Sequence, residues 1–548
     1  MNNSVGIRSL AICFPEIIRT QDDWIEQFPE LSNKFNRRKA RRSEVTISSY
    51  DNSELDIWSQ EVIPYLSDPF RGNVENRVLD ADQSSLTLEY QAGKEALEAA
   101  QLAPEEVELL IVASFDPGRI GHGNACYLAE KLGLRCPAWN LESTCSGALI
   151  ALQNANALLQ TGTYGNVLVV VSHVGSKNVD RKDTLSLSMG DGAGAFVVDT
   201  LKPNQGILGT KTVNTTATLD AYTYEQVVNS QGKPQILTRT GENASALAET
   251  AVDLVRICCE GALAAAELTL KEINFFAFNT PTAWYARVCS RALDIDPERT
   301  INLYPCYGNI GPIFPIANLY HAAQSGKIRE NDLVLVYTNG ASATATATVM
   351  HWGDVVLGSP PTPAKGICED KRLGISPIFF NKQDKESSNP IYSRNGISRK
   401  DAEIQGVQQI SPVEEVEEIE KVEKIAEPLV ITISKEKLLA AKPEERQQLL
   451  ETTLIQWLAA SMQIDPVEIN PQELLTSYLD SLMALTFKSR VETDLAVRVP
   501  IEDFFGENNI VKLAKLLLEY LLLVDLISSV SAKSEAKYEF EEREKLSF

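Results

Sequence analysis

The sequence predicts an α/β body followed by a small C-terminal helical bundle. Three observations carry this reading. Residues 1 to about 355 alternate short β-branched runs with longer helical stretches, the pattern of parallel sheets covered by helices on both faces. At Ser359-Pro360-Pro361-Thr362-Pro363 the composition changes, and such a proline-rich run makes a stiff exit from a folded body. Helical periodicity then returns from about 436 to 522.

The strands expected in the body are Val107–Ser114, Val167–Ser172, Ala195–Asp199, Phe275–Phe278 and Leu333–Tyr337, with helices such as Leu86–Ala100 and Ala148–Leu159 between them. At this length one large or two similar α/β halves fit. Residues 365–411 are polar with weak periodicity. They lead into VEEVEEIEKVEKI, whose apolar residues recur every three positions. That spacing drifts around a helix of 3.6 residues per turn, so a solvated acidic helix or spacer is expected rather than a coiled-coil seam. Three amphipathic stretches follow: RQQLLETTLIQWLAASM, YLDSLMALTFKSRVETDL and NIVKLAKLLLEYLLL. Over about 85 residues they describe a small bundle. The expected organisation is a body at 1–355, an acidic, proline-containing linker at 356–435, a bundle domain at 436–525 and a charged tail at 526–548.

Composition removes several function classes. The 548 residues are 44% hydrophobic and 23% charged, with 51 Lys plus Arg against 74 Asp plus Glu, for a net charge of −23. That balance excludes the basic footprint of a nucleic-acid binder and suits an acidic carrier. No apolar run approaches the 18 or more residues of a membrane span. The opening MNNSVGIRSLAICFPE lacks a charged stretch leading into an apolar one, so no leader is expected. Nine dispersed cysteines without a CxxC point to a reducing cytoplasm with neither a disulfide framework nor a thiolate metal site. The four histidines show no ligand spacing, and no metal is expected.

Two segments carry chemistry. In WNLESTCSGALIALQNANALL, Cys145 stands at the entry to an apolar helix. The positive end of a helix dipole lowers a thiol pKa and favours the nucleophilic thiolate. An isolated cysteine is more often core filler, but about 45 residues on comes MGDGAGA, read as a Gly-rich turn before a strand. In the C-terminal bundle, Leu479-Asp480-Ser481-Leu482 puts a serine at the start of an amphipathic helix. The tripeptide alone would be an ordinary N-cap. Its setting, followed by RVETDLAVRVP and Phe504-Phe505 in a three-helix acidic unit, makes it more than that.

The segment from about 440 to 522 resembles an acyl carrier protein domain of the polyketide-synthase type. That resemblance implies 4′-phosphopantetheine esterified to Ser481, where a hydroxyl at a helix N-terminus meets a dipole that favours phosphate. Residues 5 to 352 resemble the thiolase superfamily, and within it β-ketoacyl-acyl-carrier-protein synthase III. The resemblance is carried in order by VGIRSLAICFPE, ELLIVASFDP, STCSGA, GDGAGA, YGN and LVLVYTNGASATAT. It implies a duplicated five-layer αβαβα fold, a homodimer, and acylation of Cys145 from coenzyme A or a carrier. It further implies an oxyanion hole made by the Cys145 backbone N–H and one from Gly340-Ala341-Ser342, assigned to Ala341.

The family's Asn is matched by Asn309, in Gly308-Asn309. Its His, just after a strand, falls at Asn279, thirty residues earlier. The set is therefore Cys-Asn-Asn. Asn279 can donate through its amide but cannot shuttle a proton, which removes general acid–base help typically worth roughly 10²–10⁴-fold. Asp116, one residue away from where a branch-forming synthase would place a Glu, reads as a turn residue. His173, after VLVVVS, reads as a structural or channel-entrance residue, and His122, His321 and His351 have weaker claims.

The expected activity is acyl transfer from Cys145 to a pantetheine thiol, or condensation with a malonyl unit, in polyketide or fatty-acid-like biosynthesis. Expected partners are an acyl-coenzyme A or acyl-carrier substrate, a phosphopantetheinyl transferase and downstream synthase modules. A reading of another class is a catalytically impaired ketosynthase fold that docks its fused carrier.

Overall fold

The computed structural model describes residues 4–27, 56–65, 68, 70–114, 122–181, 183–228, 232, 234–361, 435–462, 465–479, 481–497, 499, 501–504 and 508–522. The chain forms two compact units, one within 1–380 and one within 381–548. Asp116, Asp480, the VEEVEEIEKVEKI stretch and the charged tail lie outside the described residues.

The first unit is built on two sheets that repeat one topology. Its strands are β1 (Val5–Cys13), β2 (Ile17–Thr20), β3 (Glu75–Val78), β4 (Leu110–Ser114), β5 (Ala138–Asn140), β6 (Val167–Val174), β7 (Asp191–Thr200), β8 (Gly206–Asn214), β9 (Tyr222–Val228), β10 (Pro234–Thr240), β11 (Phe275–Phe278), β12 (Leu333–Asn339), β13 (Thr344–His351) and β14 (Val356–Leu357). The larger sheet runs β14-β1-β7-β6-β4-β5 and the smaller β11-β12-β13-β8. The run β4-β6-β7-β1 in one sheet matches β11-β12-β13-β8 in the other, each with one parallel pairing followed by two antiparallel ones. The body is thus duplicated, as expected.

The expectation of parallel sheets holds only in part. β7 and β13 run antiparallel to both their neighbours. The chain enters each from the preceding strand without an intervening long helix, and an antiparallel pair needs no long crossover.

Helices fill the remaining layers. Ser85–Ala100 packs on the outer face of the larger sheet and Ala251–Ala265 on that of the smaller. Gly147–Gln160 and Phe314–Gln324 lie between the sheets and share one core with Ile111, Val169, Phe196, Phe275 and Val336. The result is the five-layer αβαβα arrangement. MGDGAGA does not form a turn, since Asp191–Ala195 belong to β7. A Cβ at Gly194 would meet Ile316 at 2.8 Å, so the glycine lets an inner helix press on the sheet. The fold also continues past residue 355: β14 pairs with β1, and Gly358 N donates to the Leu10 carbonyl at 2.8 Å.

The second unit holds helices Pro443–Met462 and Ser481–Leu495 and a third over 510–522. They close around Leu454, Trp457, Leu458, Phe487, Val491, Phe504, Leu513 and Leu517.

Candidate active site

Cys145 is the middle residue of a 3₁₀ turn, Thr144–Ser146, that feeds the inner helix Gly147–Gln160. Thr144 has a φ of +45°, unusual for a β-branched residue and sustained only where the surroundings fix it. They do so from both halves of the duplicated body. Thr144 N donates to Glu142 Oε1 at 2.6 Å, and Thr144 Oγ1 donates to the Ala341 carbonyl at 3.1 Å. The Ser143 and Thr344 hydroxyls lie 2.7 Å apart. Ser146 Oγ donates to the Thr344 carbonyl at 2.6 Å and accepts from Thr338 Oγ1 at 3.0 Å. A Cβ at Gly340 would stand 2.4 Å from Thr144 Oγ1, so only glycine lets the β12–β13 turn seat against the cysteine turn.

That turn also contains the expected oxyanion donor. Gly340 N donates to the Thr344 carbonyl at 2.8 Å, Ser342 N to Thr218 Oγ1 at 2.9 Å and Ala343 N to Thr215 Oγ1 at 2.9 Å. Among the described residues the Ala341 N–H is the one in this run with no acceptor. It therefore remains available to a substrate oxygen.

Asn279 is the first residue after β11 and is 1% exposed. Its N–H donates to the Tyr337 carbonyl at 3.0 Å. Its amide comes close enough to the Cys145 sulfur to favour the thiolate, and it has no other hydrogen-bond partner among the described residues. Leaving a buried amide unpartnered costs about 1–3 kcal/mol.

Asn309 follows Gly308, whose φ is +65° and where a Cβ would lie 2.2 Å from the Ser188 carbonyl. Asn309 N donates to that carbonyl at 2.6 Å. Its Oδ1 accepts from Gly311 N at 3.0 Å, which leaves the amide NH₂ as the group that can donate outward. The turn Gly311–Ile313 then packs on Thr144–Ser146.

The electrostatics overturn one expectation. Burial pushes the Cys145 thiol up to about 12, and the Glu142 carboxylate adds to the rise. The Cys145 backbone N–H and the Asn279 amide offset only part of it. The dipole of Gly147–Gln160 acts only near its first turn, and here it is outweighed by desolvation and a neighbouring negative charge.

His173 is held neutral by burial, its pKa lowered to about 4, with Nδ1 3.0 Å from the Gly190 carbonyl and its ring against Gly311. It buttresses the loop that carries Asn309. His321 is likewise buried, 3.0 Å from the Tyr307 hydroxyl, and His122 lies 3.2 Å from the Tyr127 hydroxyl. Asp191 anchors the start of β7 by accepting from Leu79 N and Ser176 N, both at 2.8 Å. Among the described residues seven cysteines are free thiols. Cys306 departs from the expected thiols in being disulfide-bonded.

Three residues near the cysteine escaped the sequence reading. Glu142 is one. Tyr222 and Tyr224 are the others, on the β9–β10 hairpin, where desolvation and then the Cys145 sulfur push both phenols up, although Tyr224 is 46% exposed. The hairpin is tied to the segment after β6 by Arg239 to Asp180 at 2.8 Å and Gln235 Nε2 to the Lys177 carbonyl at 2.6 Å.

In the second unit, Ser481 is the first residue of the 15-residue helix Ser481–Leu495, a position where free backbone N–H groups and the dipole favour an attached phosphate. Among the described residues no helix is long and apolar enough to cross a membrane.

A cysteine at the seam of a duplicated five-layer body, joined to a helical carrier unit, is the arrangement of a thiolase-type condensing enzyme fused to its carrier. Family models agree. Residues 139–215 match 3-oxoacyl-[acyl-carrier-protein] synthase III, 263–352 match its C-terminal region, and 452–517 match a phosphopantetheine attachment site. The chain belongs to the β-ketoacyl-[acyl-carrier-protein] synthase III family, and its C-terminal domain carries 4′-phosphopantetheine on a serine. It is 31% identical over 294 residues to the β-ketoacyl-[acyl-carrier-protein] synthase III of Microcystis aeruginosa, covering 51% of this chain and 86% of that one. Against synthase III 1 of Bacillus anthracis it is 28% identical over 287 residues, covering 52% and 88%. The fold is shared with 3-oxoacyl-[acyl-carrier-protein] synthase III of Aquifex aeolicus, at a TM-score of 0.51 and 23% identity over 64% of this chain and 100% of that one. It is also shared with a variant of OleA from Xanthomonas campestris, at a TM-score of 0.53 and 17% identity over 64% of this chain and 97% of that one.

Proposed function

We propose that Cys145 takes an acyl group from an acyl-coenzyme A or acyl-carrier thioester and passes it to a carrier thiol, or joins it to a malonyl unit. The pathway served would be polyketide or fatty-acid-like. The thioester oxygen would sit between the N–H groups of Cys145 and Ala341, where each donor contributes about 3–4 kcal/mol in related oxyanion holes. The amides of Asn279 and Asn309 would hold the carbonyl of a second substrate and stabilise the enolate left as carbon dioxide departs. The pantetheine arm, attached at Ser481, supplies the thiol that presents or accepts acyl groups. Fusion to the catalytic body keeps that thiol at an effective concentration in the millimolar range when the connection is flexible.

The observation that carries the reading is the buried Asn279 amide, which meets the Cys145 thiol and no other protein group among the described residues. An amide placed in this way is left to hold a substrate carbonyl. The test is to incubate the holo-protein with acyl-coenzyme A and locate the acyl mass by peptide mapping. The acyl group is expected on Cys145 and absent in Cys145→Ala. The thiol raised to about 12 favours a second reading, in which the fold docks its carrier without chemistry. A Cys145 peptide that never gains acyl mass would establish it.

A further inference from the structure

We propose that Glu142 is the proton acceptor for Cys145 during acyl loading. This rests on the reading that Cys145 is the acylated nucleophile.

The need for such a group follows from the site. Attack on a thioester transfers the Cys145 proton to the departing thiol. The position that would hold a histidine is Asn279, which has no basic atom. His173 is occupied with the Gly190 carbonyl, just ahead of β7. Glu142, by contrast, is folded back onto the cysteine turn: its Oε1 accepts from Thr144 N at 2.6 Å, one peptide unit before Cys145. The backbone of Ser143 also bonds to this carboxylate. These bonds set the carboxylate beside the cysteine turn, close enough for its charge to act on the thiol, and the proposed step needs it to come within hydrogen-bond reach of the sulfur, directly or through one water.

The other groups around the pair are poor acceptors. The β9–β10 hairpin presents the phenols of Tyr222 and Tyr224, both pushed up and therefore uncharged near neutral pH, with Asp183 beyond Tyr222. β11 contributes the Asn279 amide, and the β12–β13 turn contributes the Thr344 hydroxyl and the Ala341 N–H. The Glu142 charge acts on the thiol, and desolvation raises its own pKa from the ordinary carboxylate value. A carboxylate raised in this way is a better base.

The step balances. The Cys145 S–H bond breaks and its proton goes to the Glu142 carboxylate as sulfur bonds to the acyl carbon. The carbon–sulfur bond to the departing thiol then breaks, and Glu142 returns the proton to that sulfur.

Glu142 has opposing effects on two reactions, and this makes the proposal testable in the full-length holo-protein. Its negative charge holds the thiol protonated, so Glu142→Gln should lower the thiol pKa and speed alkylation of Cys145 by iodoacetamide at pH 7.5. The same substitution removes the base, so acyl loading from acyl-coenzyme A at pH 7.5 should fall by about 10²-fold or more. The acid limb of the loading profile between pH 5 and 8 should disappear. Alkylation also reports that the site is folded. If Glu142→Gln speeds loading and alkylation together, Glu142 only restrains the thiolate and the proposal fails. If loading is undiminished in Cys145→Ala, the nucleophile assignment itself fails and takes this proposal with it.

Discussion

The resting state of Cys145 can be read directly from a thiol titration. A thiol titrating near 12 instead of the ordinary 9.0 holds roughly a thousandth of the thiolate at pH 7.5, because each pH step of one is a factor of ten. Alkylation by a small reagent such as iodoacetamide, followed by peptide mapping, should therefore run about 10³-fold slower at Cys145 than at a free cysteine of ordinary pKa. Cys126 is exposed and free, so its labelling in the same sample checks that the reagent is active. Access alone would slow labelling equally at every pH. A high pKa instead makes the logarithm of the rate climb with unit slope from pH 7 to 10 without a plateau. The two causes of the rise separate as well: removing the Glu142 charge should shift the curve to lower pH, while the larger contribution from burial should remain. A wild-type curve that levels off below pH 9 would refute the reasoning and restore the helix-dipole account of the nucleophile.

Asn279→His should introduce or increase carbon dioxide release from labelled malonyl-carrier by restoring an imidazole beside Asn309. If wild type already decarboxylates at the rate of a histidine-containing ketosynthase, two amides suffice for the enolate. Ser481→Ala should abolish the mass gain produced by co-expression with a promiscuous phosphopantetheinyl transferase; full modification of that variant would move the attachment site elsewhere. Gly308→Ala forces a Cβ to within 2.2 Å of the Ser188 carbonyl at a φ of +65°. It should destabilise the protein by about 1–3 kcal/mol, read from denaturant unfolding, and should displace Asn309.

The sequence was most informative where local pattern and chemistry coincide. Phe275–Phe278 is a short, wholly apolar run ended by a polar residue, and its strand limits match the expectation. Gly147–Gln160 is one residue longer at each end than expected. Asn309 could be placed because Gly308-Asn309 matches the motif of the family the chain resembles, and the glycine's φ of +65° is the reason that motif needs it. The hairpin that brings Tyr222 and Tyr224 to the cysteine was invisible, because β9 has mostly exposed side chains and is placed by distant partners such as Asp180. Glu142 was overlooked for a related reason: its carboxyl acquires meaning only when the turn folds it back onto Thr144. The thiol was misjudged because a dipole can be inferred from one segment, whereas desolvation depends on everything packed around it. MGDGAGA misled because glycine signals turns in isolation, while in β7 it makes room for a helix.

The repeated strand order of the body divides labour unequally between its halves. The first repeat contributes Cys145, the proposed nucleophile, and Glu142, while the second contributes both asparagines and the Ala341 N–H. Neither repeat holds a complete set, so two separately expressed halves should be inert until they reassemble. Any sliding of one repeat against the other would change the spacing between sulfur and amides before it disturbed either core. The hydroxyl ladder of Ser143, Ser146, Thr338 and Thr344 bridges that seam, and it acts as the gauge that keeps the two repeats aligned at the cysteine turn.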